Sequence, residues 1–166
     1  MPTHEHYPRT LNDQQGGLST DMSESLVCQF TTDLTNAQVL ALRATPITVV
    51  AAPGAGKVIE FDSACLILNY GGTQYTESDD NLVFRLVNGS GSVLSTTVEC
   101  TGFIDVAGDA ISYARKITTD PLLTTAGELS NAVLVIHNSG NGEFGGGHAS
   151  STLRVIVNYK IHYTGL

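Results

Sequence analysis

The residues best suited to chemistry in this chain are Ala52-Pro53-Gly54-Ala55-Gly56-Lys57, a glycine-rich turn ending in lysine. Loops of that kind cradle phosphates with backbone amides and reach them with the lysine. A working loop also needs a glycine five positions before its second glycine, and a serine or threonine after the lysine to hold magnesium. Here those positions are Ala51 and Val58, and the residues after Lys57 read as a strand instead of a helix. The segment is therefore read as a tight turn between two strands, with its glycines supplying positive φ.

The other reactive residues form no better pattern. His4 and His6 are two apart and could join His137, His148 or His162 on a metal, but no ligand spacing supports it. Glu77, Asp79 and Asp80 are acidic neighbours without the loop signature of a calcium site, and they read as a solvated loop. No nucleophile elbow or cysteine–histidine signature is present, and there is no tryptophan to hold a sugar beside paired carboxylates. Cys28, Cys65 and Cys100 are widely and irregularly spaced, which excludes a CxxC framework. Cys65 and Cys100 lie in apolar runs and read as buried free thiols acting as small hydrophobes. The expectation is a protein that is not an enzyme, with no catalytic residues, no metal and no cofactor.

The elements that carry these residues read as strands. A short helical turn is expected over Asn36 to Leu42 after Thr35. From Thr45 onward β-branched and apolar runs recur between turn signals: Ile47 to Ala52, Lys57 to Tyr70, Leu82 to Val87, Val93 to Thr101, Gly102 to Val106, Ala132 to Asn138 and Thr152 to Tyr163. The segment Ile111 to Thr125 is a weaker strand, broken by Asp120-Pro121. The continuous apolar stretch Ala64 to Leu68 predicts a strand buried on both faces. In the last strand Leu153, Val155, Val157, Tyr159, Ile161 and Tyr163 share one face, and Arg154, Ile156, Asn158, Lys160 and His162 the other. Ser139 to Ser150, with Gly145-Gly146-Gly147, reads as a long mobile hairpin loop. The fold expected is all-β, a jelly-roll-like β-sandwich over residues 37–166.

Residues 1–36 are expected to be a flexible polar arm that orders when it lies on a partner. Its first 33 residues hold Glu5, Asp13, Asp21, Glu24 and Asp33 against Arg9. The side chains able to make such a contact are Leu18, Met22, Leu26 and Phe30. The 166-residue chain suits one domain. Its net charge of −8, with basic residues scattered, excludes a phosphate-neutralising nucleic-acid face and an anionic membrane surface as partners. Charged residues are 14% of the total, below the roughly 25% of ordinary globular domains. Such a value suits either a chain whose surface is partly covered by other copies or a larger assembly, or a β-protein whose polar faces use Ser, Thr, Asn and Gly in place of Lys and Glu. No secretory signal or membrane-spanning run is read, so the expected compartment is a reducing cytoplasm or a particle assembled there.

The stretch Ala44-Thr45-Pro46-Ile47-Thr48-Val49-Val50-Ala51-Ala52-Pro53-Gly54-Ala55-Gly56-Lys57-Val58-Ile59 resembles the opening of small virion proteins of tailed bacteriophages. In those it leads to a strand ending in Tyr and Gly, as Leu68-Asn69-Tyr70-Gly71-Gly72 does here, and they close on a strand ending in Tyr after a glycine-rich loop, as Gly145 to Tyr159 does here. The resemblance spans residues 37–163. It implies a capsid decoration (cement) protein: a jelly roll, a homotrimer, seated on the outer capsid surface of the virion against the major capsid protein, without cofactor or active site. A receptor- or glycan-binding head of a phage fibre is the alternative expectation.

Overall fold

The computed structural model describes residues 27–117 and 126–164. Among the described residues, ten strands and two short helices run in the order β1 (Cys28–Thr35), α1 (Asn36–Leu40), β2 (Ile47–Val50), β3 (Lys57–Asn69), β4 (Tyr75–Thr76), β5 (Asn81–Leu86), β6 (Val98–Glu99), β7 (Ala110–Arg115), α2 (Ala126–Leu129), β8 (Leu134–Asn138), β9 (Gly145–Gly146) and β10 (Thr152–Tyr163). One four-stranded sheet, here the first, has the order β1-β10-β3-β7; the second has β2-β8-β5-β6; β4 and β9 pair separately. All pairings are antiparallel, so the chain is all-β as its pattern predicts. The pairs nest: β1 meets β10, β2 meets β8, β3 meets β7 and β5 meets β6.

Local sequence explains the element boundaries. Thr35 caps α1: its hydroxyl accepts from the Gln38 amide while the Gln38 side chain accepts from the Thr35 amide, a reciprocal capping box. The Ala52–Lys57 segment is the tight turn expected, with Gly54 at φ 103° and Gly56 at φ 69°, and the Lys57 amide donates to the Gly54 carbonyl. Strand β3 starts at that lysine.

One core lies between the two large sheets. Leu66, Leu68, Leu153 and Val155 of the first sheet and Leu82, Phe84, Leu134 and Ile136 of the second are all fully or nearly fully buried in the same cluster. The Phe61 and Phe84 rings stack across it with centroids 5.0 Å apart. Each such side chain contributes about 1.5–3 kcal/mol by leaving water.

The structure corrects four details. Residues 28–36 do not belong to an arm: Cys28–Thr35 pairs residue for residue with β10, because Leu34 alternates into the core opposite Leu153. Residues 1–26 of that expected arm lie outside the described residues. The stretch Ala64 to Leu68 is not buried on both faces; Ala64, Leu66 and Leu68 are buried while Cys65 and Ile67 are half-buried. Its continuous apolarity accompanies a bulge, since Asn158 pairs with Ser63 and Tyr159 with Phe61, leaving Asp62 unmatched. Core-facing positions therefore switch from Ile59 and Phe61 to Ala64, Leu66 and Leu68. Third, Val93 to Val106 holds one two-residue strand and isolated bridges, with Phe103 and Ile104 buried in a turn whose amides donate to the Cys100 carbonyl. Fourth, the glycine loop is tied down. Gly145 and Gly146 pair with Thr76 and Tyr75, and Gly147 at φ 72° lies against the Tyr75 ring.

Candidate interaction surface

The residues read as potential chemistry are spread over separate places and mostly occupied by their own chain. Asp80 is 1% exposed, contrary to a solvated loop. Its Oδ1 accepts from the Gly142 amide and the Asn138 side chain, and its Oδ2 from the Ser78 amide, so it pins the 77–81 loop against the 138–142 loop. Glu77 accepts from the Asp80 amide and the Thr101 hydroxyl. His148 pairs with Ser150 and His162 with Glu60, while His137 is buried in β8. Among the described residues no three His, Cys, Asp or Glu side chains converge as a metal site. His4 and His6 lie outside them. Cys65 and Cys100 are free thiols. Cys100 is fully buried, as expected, and burial pushes its thiol well above the ordinary range, reinforced by the nearby Glu77 charge. Cys65 is instead half-buried on an outward face.

Of the four side chains expected to meet a partner, Leu18, Met22 and Leu26 lie outside the described residues. Phe30 sits on β1 opposite Val157, on the core-facing side, yet is 42% exposed.

The more developed surface is the outer face of the first sheet. Strand alternation and register bring its side chains into ranks. Thr31, Ile156, Cys65 and Tyr113 form one rank, and Asp33, Arg154, Ile67 and Ile111 the next. Ile111 and Tyr113 are 59% and 64% exposed, large apolar side chains side by side on β7. A groove of about 490 Å³ runs beside them, lined by Ser63, Cys65, Tyr113, Arg115, Lys116 and Asn158. A second, of about 270 Å³, lies at Asp33, Ile67, Asn69, Asp109 and Arg154.

Ion pairs border the apolar ranks. Arg154 Nε and Nη2 donate to both oxygens of Asp33 at 2.7 and 3.0 Å, a two-point pair across β10 and β1. That guanidinium holds the Asp33 carboxyl below its usual range. Glu60 accepts from Lys116 Nζ through one oxygen and from His162 Nε2 at 2.7 Å through the other. Its carboxyl is lowered chiefly by Lys116, against some desolvation, with His162 adding to the effect. Arg115 and Lys160 stand on the same face without an ion pair among the described residues.

This face was legible only in part. The alternation of the last strand places Arg154, Ile156, Asn158 and Lys160 outward, as found. Strand β7 went undervalued because Asp120-Pro121 weakens the segment that contains it, although Ile111, Tyr113 and Arg115 already alternate with smaller residues. The arrangement suits contact by area and charge, with an apolar centre and a charged border. No protein-family model matches the chain, and no curated protein matches it.

Proposed function

We propose that the chain is a non-enzymatic structural protein of a tailed-phage particle, a homotrimeric decoration protein on the outer capsid surface with the major capsid protein as partner. The observation that carries this reading is the nesting of the strand pairs. With the small β4–β9 pair set aside, eight strands remain, and first pairs with eighth, second with seventh, third with sixth and fourth with fifth. We read a long hairpin rolled up in this way as a jelly roll, an architecture of viral capsid and lectin domains. Fold alone does not assign function. The resemblance of the Ala44–Ile59 opening to phage virion proteins narrows it.

Two measurements test the reading. Light scattering coupled to size exclusion should give the mass of three chains; a monomer at all concentrations argues against the trimer. Purified chain should then co-sediment with emptied capsids of the phage that encodes it, and not with tail fractions. Binding to tails alone would replace the decoration role with that of a fibre head.

A further inference from the structure

We propose that the outer face of the first sheet is the docking site for residues 1–26 of the same molecule, seated through Leu18, Met22 and Leu26. This inference does not depend on the capsid reading. It starts from the exposed ranks on that face: Ile156, Cys65 and Tyr113 in one, Ile67 and Ile111 in the next. Adjacent large apolar side chains, two of them more than half exposed, mark a surface that covers something or is covered.

Three observations select the occupant. The first is where the preceding chain joins the fold. It enters at Val27, itself 57% exposed, directly ahead of β1, the edge strand of this same sheet. Crossing from β1 to β7 spans three strand spacings, about 14 Å, which roughly five extended residues cover. Leu18 to Leu26 is ample for that. The second is spacing. Leu18, Met22 and Leu26 recur every four residues, which places them on one side of the chain whether it is extended or helical. The third is charge. Asp21 and Glu24 stand between those apolar residues. Arg115 and Lys160 stand on the sheet face without an ion pair among the described residues, while Arg154 and Lys116 already have Asp33 and Glu60. An acidic segment with apolar residues at every fourth position therefore suits an apolar face on which Arg115 and Lys160 form no ion pair among the described residues, beside acidic Asp62 and Asp109. Tethering raises its local concentration far above that of any untethered competitor.

Cys65 reports the contact, because it lies in the centre of the face while Cys100 is fully buried elsewhere. The full chain is alkylated under native conditions and the rates at Cys65 and Cys100 are read by peptide mass, their ratio correcting for any global unfolding. In the full chain carrying Leu18→Asp, Met22→Asp and Leu26→Asp together, the Cys65 to Cys100 ratio should rise roughly tenfold, the loss of a locally protecting segment. The full chain carrying Ile111→Ser and Tyr113→Ser, both exposed positions, should show the same rise. Protection in the parent should be independent of protein concentration. Equal ratios in parent and triple variant overturn the proposal. So does protection that disappears on dilution, which would assign the face to a second copy.

Discussion

At the scale of single residues, His137 carries the clearest linkage between burial and pH. It is 7% exposed on β8, and its Nδ1 has no hydrogen-bond partner among the described residues. Burial pushes its pKa below the ordinary 6.5, and the charges of Arg85 and Arg43 push the same way, while the Arg43 backbone carbonyl and Glu143 oppose them. The folded state thus disfavours the protonated ring. Stability is full above about pH 6.5 and falls as pH drops from there toward the lowered folded value, because the unfolded chain takes up the proton first. Melting temperature followed from pH 7.5 to 5 should decline in the parent, and His137→Gln should flatten that decline. An unchanged slope would place the acid sensitivity elsewhere. Gly147 offers a second residue-level test. A Cβ there would stand 2.5 Å from Cε1 of Tyr75 and 2.3 Å from Oδ1 of Asn36, at a positive φ. Gly147→Ala should cost about 1–3 kcal/mol by overpacking and backbone strain, measured by denaturant unfolding.

At the scale of elements, β3 and β10 form the longest pairing in the molecule, and β3 is the strand that holds β7 to the first sheet. Leu68 is 1% exposed opposite Leu153. Leu68→Asp should unfold the domain, since an unpaired buried charge costs roughly 3–5 kcal/mol; circular dichroism and melting would show it. Most of this framework was legible in sequence, because β-branched alternation in Thr152 to Tyr163 and the apolar run of β8 depend on local pattern. What escaped had non-local causes. Strand β1 reads as polar tail, since Gln29, Thr31 and Asp33 face outward and only Leu34 is deeply buried; its partner lies at the far end of the chain. The bulge at Asp62 hides the change of core-facing positions, so Ala64 to Leu68 looks doubly buried. The glycine loop reads as mobile because its anchor, Tyr75, lies far away in sequence. The exposed ranks on the first sheet were hidden for the same reason, as they assemble from four strands that only register brings together.

At the scale of the whole molecule, the nested pairing fixes which parts depend on which. The outermost pair joins Cys28–Thr35 to Thr152–Tyr159, and the pairs β2–β8, β3–β7 and β5–β6 lie between them in sequence. Register in that pair runs from Cys28 opposite Tyr159 to Thr35 opposite Thr152. The chain therefore enters β1 at the same end of the sheet at which β10 passes beyond its contact with β1. Tension applied to β1 at Cys28 and to β10 at Tyr163 pulls from one end of the sheet, so the β1–β10 ladder opens from its Cys28–Tyr159 pair one pair at a time, since antiparallel hydrogen bonds lie perpendicular to the strands. Optical-tweezer pulling from the two ends should show β1 peeling away at low force ahead of the remaining body. Pulling through cysteines introduced along opposite ends of the β3–β10 ladder should meet a higher resistance, as those bonds are sheared together. A domain built this way is mechanically soft along its own termini and stiff across its middle.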